Sequence, residues 1–107
     1  MKVGDYVRTD DGYINKIISL SEWNVVVEAK RLIGEKLIIA KTEIIKSSPN
    51  IIDLIEVGDY VNGEKVLQVY SDKRYGKVVM TLDSQLINGT IDSVLTKEQF
   101  EEMEYKL

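Results

Sequence analysis

Val3-Gly4-Asp5-Tyr6-Val7, VGDYV, recurs unchanged at residues 57–61 of a chain of 107 residues. The copies stand 54 residues apart, close to half the chain, so the two halves invite direct comparison. After the first copy, Asp11-Gly12 supplies a hairpin turn between two strand-like runs; after the second, Asn62-Gly63 stands in the equivalent place. Each half then carries a β-prone run, WNVVVEA at 23–29 and GKVVMTLD at 76–83. A further apolar run follows in each, EKLIIAKTEIIK at 35–46 and QLINGTIDSVL at 85–95, the second interrupted by the turn signal Asn88-Gly89.

The halves also close alike. Ser48 before Pro49 suits a helix start leading into Asn50–Ile55. Thr96 with Gln99 forms a capping box ahead of KEQFEEMEYKL. In that segment Phe100, Met103 and Leu107 fall on one stripe expected to face a core. Within the strands, period two places Trp23, Val25 and Val27 on one face. It groups Val78, Met80 and Leu82 against Val79 and Thr81, and Ile14, Ile18 and Leu20 against Ile17.

These signals predict a mainly β protein of two SH3-like small β-barrel or sheet units related as a pseudo-repeat. The first unit spans 1–48, a short helical linker 49–55, the second unit 56–95 and an amphipathic C-terminal helix 96–107, all packed as one compact domain. A unit of about 50 residues is marginal alone, and burial shared between two of them explains the pairing. In VGDYV itself, Gly4 and Gly58 suit unusual backbone angles, Asp5 and Asp59 suit turn hydrogen bonds, and the valines suit a core. The structural reading of the motif therefore outweighs a ligand loop shown twice.

Composition narrows the chemistry. The chain has neither His nor Cys. It thus lacks the ordinary base near neutral pH, the thiolate nucleophile and the nitrogen and sulfur ligands of zinc. No enzymatic activity, catalytic residue, cofactor or metal is expected; Asp10, Asp11, Asp83 and Asp92 are too scattered to suggest a metal site. The net charge is −4, with eight Lys/Arg against eight Asp/Glu in residues 1–54 and six against ten in 55–107. That sign disfavours non-specific binding to a phosphate backbone. No apolar run approaches the roughly 18 residues of a membrane span. MKVGDYVRTD has no apolar stretch of the secretory kind, so a cytoplasmic location is expected.

Three features could contact a partner. YSDKRYGK at 70–77 interleaves Tyr70 and Tyr75 with Lys73, Arg74 and Lys77, a grouping that can grip nucleic acid or a nucleotide, although a polar hairpin tip accounts for it more simply. Glu98, Glu101, Glu102 and Glu104 give the last segment an acidic face, usually just a solvated one. Trp23, the only tryptophan, reads as core from its phase with Val25 and Val27; exposed, it would be an interface anchor.

KVGDYVRT at 2–9, SPNIIDLIEVGDYVNG at 48–63 and LTKEQFEEMEYKL at 95–107 together resemble small proteins encoded by phages and prophages of Gram-positive, clostridial-type bacteria. Segments 13–46 and 65–93 carry no part of the resemblance, and it implies no catalytic or binding residue. V-G-D-x-V resembles the first strand of SH3-like barrels, including KOW-type modules. What the resemblance implies is a binding protein that occupies a host or phage protein surface, with inhibition of a defence system such as CRISPR as one candidate role. A nucleic-acid- or nucleotide-binding module using 70–77 is the alternative, and a virion structural or assembly component the third, with a homo-oligomer among the partner states it allows.

Overall fold

The computed structural model describes residues 1–29 and 35–103. The chain forms two five-stranded antiparallel sheets and one C-terminal helix. The first sheet contains β1 (Tyr6–Thr9), β2 (Ile14–Leu20), β3 (Asn24–Ala29), β4 (Glu35–Ala40) and β5 (Ile44–Ser48), in the order β4-β3-β2-β1-β5. The second contains β6 (Tyr60–Val61), β7 (Glu64–Asp72), β8 (Gly76–Thr81), β9 (Gln85–Leu86) and β10 (Val94–Leu95), in the order β9-β8-β7-β6-β10. Position by position the two orders are the same: a four-stranded meander whose first strand also pairs with the fifth. Both sheets are open, since among the described residues no pairing joins β4 to β5 or β9 to β10.

The two VGDYV copies adopt one geometry. Gly4 and Gly58 have φ of +93° and +97°, a left-handed region that strains any side chain. Their N–H groups donate across the hairpin to Ile17 and Val66 carbonyls at 2.9 and 3.0 Å. Asp5 and Asp59 donate to the carbonyls of Lys2 and Glu56, both at 3.1 Å. Their carboxylates accept the N–H groups of those same residues at 3.0 and 2.7 Å. A bulge then follows at the same point of β2 and β7: Ile17 and Ser19 oppose Val27 and Val26, while Val66 and Gln68 oppose Thr81 and Met80. The extra residues, Ile18 and Leu67, are both exposed.

Those bulges correct the strand faces. The first core is Val7, Ile17, Val25, Val27 and Ile39, so Ile17, not Ile18 or Leu20, is the buried residue of β2. The second core is Ile52, Ile55, Val61, Val66 and Val79. Val78 is buried too, but Leu82 lies past the end of β8 and is exposed. Trp23 is also misplaced by phase alone. It stands in the turn closed by the Ser21 N–H on the Asn24 carbonyl, before β3 begins, and its side chain is 74% exposed.

Between the sheets, Ile51–Leu54 form one 3-10 turn. Its N-cap is Asn50 rather than Ser48, which ends β5; the Ser48 hydroxyl accepts the Asn50 N–H at 3.1 Å and donates to the Asp53 carboxylate at 2.6 Å. This linker is part of the interior, because Ile52 and Ile55 belong to the second core. The helix α1 (Lys97–Met103) begins at the expected capping box, with Thr96 N–H bonded to Gln99 Oε1 at 3.0 Å and Gln99 N–H to Thr96 Oγ1 at 3.2 Å. Its apolar stripe does not enter a core: Phe100 stacks on Tyr60 at 4.5 Å while remaining partly exposed, and Met103 is exposed. Leu107 lies outside the described residues. Among the described residues no helix is long and apolar enough to cross a membrane.

Candidate functional site

Strand alternation turns Val7 into the first core and Arg8 to the opposite face, toward the second half of the chain. Arg8 and Asp59 are both 0% exposed. The guanidinium grips Asp59 in bidentate fashion, Nη1 donating to Oδ2 at 2.6 Å and Nη2 to Oδ1 at 3.0 Å. Nη1 also donates to the Leu54 carbonyl at 3.0 Å and Nη2 to Glu98 Oε2 at 3.0 Å. Nε makes no hydrogen bond but lies 3.6 Å from Glu56 Oε2. Asp59 additionally accepts the Lys97 N–H at 2.9 Å, so one carboxylate closes its own turn, holds the arginine and receives the start of α1.

Glu56 extends the cluster outward, pairing with Lys97 Nζ at 2.8 Å and Lys46 Nζ at 3.1 Å. Three cations, Arg8, Lys46 and Lys97, thus meet three carboxylates, Glu56, Asp59 and Glu98. No surplus charge remains to recruit a ligand, and the arrangement is a joint between the sheets and the helix. Burial alone would push the Glu56 carboxyl up; hydrogen bonds from Lys97 and Lys46 and the nearby Arg8 charge outweigh it and lower the value to about 2 from the ordinary 4.5. For Arg8 the burial penalty is likewise outweighed, chiefly by Asp59, and its basicity rises.

The sign of the acid response follows. Glu56 binds a proton less readily folded than unfolded, so its contribution to stability is complete above about pH 4.5 and is lost as the pH falls toward about 2. Urea midpoints measured across that window should fall with pH, and Glu56→Gln should flatten the dependence. An unchanged slope in the variant would remove Glu56 from this role.

The joint reassigns one expected contact. Glu98 is tied to Arg8 through one carboxylate oxygen and stays partly exposed. Glu101 and Glu102 are exposed on α1, the latter accepting the Tyr13 hydroxyl; Glu104 lies outside the described residues. Arg8 is not legible in the sequence, because a charged residue on a strand normally reads as solvated and its partner is 51 residues away. The one available signal was a difference between the repeats: Arg8 follows the first VGDYV directly, and Asn62 the second.

Two of the exposed hairpin tips among the described residues carry aromatic side chains. The β7–β8 tip carries Lys73, Arg74 and Tyr75, all exposed, Tyr75 at 53%. Asp72 Oδ1 accepts the N–H groups of Arg74 and Tyr75 at 2.7 and 3.1 Å, fixing the turn. The Arg74 guanidinium sits 5.9 Å from the Tyr75 ring centroid. Lys77 does not join them. Its ammonium turns inward to donate to the Asp53 carbonyl at 3.1 Å, and burial lowers its pKa. The β2–β3 tip, at the same place in the first sheet, carries Trp23. Among the described residues no group of three or more His, Cys, Asp or Glu is placed to hold a metal. The chain matches no protein-family model, no curated protein and no solved structure significantly.

Proposed function

We propose that this chain is a non-enzymatic binding protein that occupies the surface of another protein through the aromatic tips of two related SH3-like units. The repeat is supported by the common strand order, the matching Gly-Asp turns and the matching bulges. The SH3-like reading is supported by the meander whose first strand pairs with its fifth, and by the 3-10 turn Lys41–Glu43 between β4 and β5. The absence of His and Cys supports binding over catalysis.

The observation that carries the proposal is Trp23. A tryptophan 74% exposed on a hairpin tip contributes nothing to either core, and rigid exposed aromatics dominate protein interfaces. Tyr75 occupies the corresponding tip of the second unit. The phage-type resemblance makes a host protein the natural target, a defence effector among the candidates. Trp23→Ala should keep the fold and weaken partner capture by about 30-fold or more, corresponding to about 2 kcal/mol. Capture by immobilised wild type and variant, compared band by band, checks this. Equal retention by Trp23→Ala and Tyr75→Ala would sink the proposal.

A nucleic-acid or nucleotide reading draws on Arg74 stacked over Tyr75. A gel shift with a steep salt slope, abolished by Arg74→Glu, would favour it over protein binding.

A further inference from the structure

The second unit shows what its Gly-Asp turn accepts, and the first unit holds the same turn, partly exposed, with one carboxylate oxygen unpartnered among the described residues and open space beside its glycine. Asp59 uses Oδ2 to close its turn on the Glu56 N–H and still receives a bidentate guanidinium. The Gly58 corner is covered by the Lys97 side chain, whose Cδ would lie 3.5 Å from a Cβ there. Asp5 closes the matching turn through Oδ2 on the Lys2 N–H. Its Oδ1 takes no partner among the described residues, and nothing lies within 4 Å of a Cβ placed on Gly4. Exposed Met1 and Val3 give this turn an apolar rim.

We propose that the Asp5 turn is a receptor for an arginine side chain presented by the partner protein, the intermolecular counterpart of the Arg8–Asp59 grip. This rests on reading the chain as a binding protein with a repeated unit. Guanidinium rather than ammonium is the chemistry, because the forked donors of Arg8 are what the equivalent carboxylate holds. A second copy of this chain has no counterpart of Arg8 in its second unit, where Asn62 stands at that position, and would have to offer the exposed Arg74 of its β7–β8 tip instead. Asn62 is committed to its own half, accepting the Asp92 and Ser93 N–H groups and donating to the Thr90 carbonyl.

The test is an amide chemical-shift titration of the full chain with N-acetylarginine amide, taken to about 100 mM because a single ion pair at a partly exposed carboxylate is weak. N-acetyllysine amide at equal ionic strength is the control. The amides of Gly4, Asp5 and Tyr6 should shift and approach saturation with the arginine probe, several-fold less with lysine, and the response should vanish in Asp5→Asn. That variant keeps an acceptor for the Lys2 N–H, so an unchanged thermal midpoint shows the turn intact. No shift at these amides, an equal response to lysine, or a response retained in Asp5→Asn overturns the inference. Self-association that Asp5→Asn abolishes also overturns it, by making the occupant a second copy. Loss of the arginine response with Trp23→Ala still weakening capture removes this receptor alone. If Trp23→Ala and Tyr75→Ala also leave capture unchanged, the binding reading falls with it.

Discussion

Asp59→Ala should destabilise the protein by about 3–5 kcal/mol, the cost of leaving a buried charge without its partner. Arg8 would keep the Leu54 carbonyl and Glu98 but lose the bidentate carboxylate at its centre. Single domains are stable by about 5–15 kcal/mol, so much of the margin would disappear. Urea unfolding reads this directly, and the Arg8→Met, Asp59→Leu double variant separates the causes. Removing both charges should recover the ionic part, because apolar residues in place of a buried pair are often neutral or better. It should not recover the two backbone N–H groups, of Glu56 and Lys97, that the Asp59 carboxylate also accepts. Losing caps of this kind costs about 1 kcal/mol each, so the double variant should fall between wild type and Asp59→Ala. A loss below about 1 kcal/mol for Asp59→Ala would mean that water replaces the carboxylate and that the joint is not closed.

Gly12→Ala should cost about 3 kcal/mol through two additive faults. Gly12 has φ of +89°, which a side chain resists. Its Cβ would also stand 2.3 Å from Glu98 Cβ, an atom fixed close to the α1 backbone. The helix would have to move away, drawing Glu98 from Arg8 and Thr96 from the Gly12 carbonyl that its hydroxyl meets. A near-ultraviolet signal from Tyr60, which stacks on Phe100, should change with the stability loss. Gly89→Ala is the control: it shares a positive φ of 94° but meets nothing within 4 Å, so it carries the backbone fault without the clash. Equal costs for the two glycines would refute the close approach.

The β class and the turns were legible in the sequence because they are local. Asn62-Gly63 takes positive φ at both residues, 52° and 83°, the turn that this dipeptide favours in hairpins. The capping box of α1 was readable for the same reason. Faces were less legible, because one bulged residue shifts every later side chain; Ile18 and Leu67 look like core positions and are the inserted ones. The stripe of Phe100 and Met103 misled because α1 is anchored by polar contacts, through Lys97 and Glu98, more than by an apolar face. Of the candidate contacts, Lys73, Arg74 and Tyr75 stand as a solvent-facing tip, while Lys77 and Glu98 are drawn inward by partners 24 and 90 residues away. Such pairings lie beyond any local pattern. Trp23 was decided by a tight turn one residue before the strand, where phase ceases to apply.

The joint also sets an order of assembly. Each meander closes through neighbours in sequence, and the first needs nothing beyond Ser48. Arg8 must wait for partners 46, 51 and 90 residues downstream. On a growing chain, the first sheet can therefore form with Arg8 still hydrated, and the guanidinium gives up its water only when the second Gly-Asp turn and the helix start have arrived. Contacts of such long sequence separation must first overcome the entropy of closing a long loop. Docking of the two sheets is then expected to be the late step, with Arg8 the residue whose burial would report it.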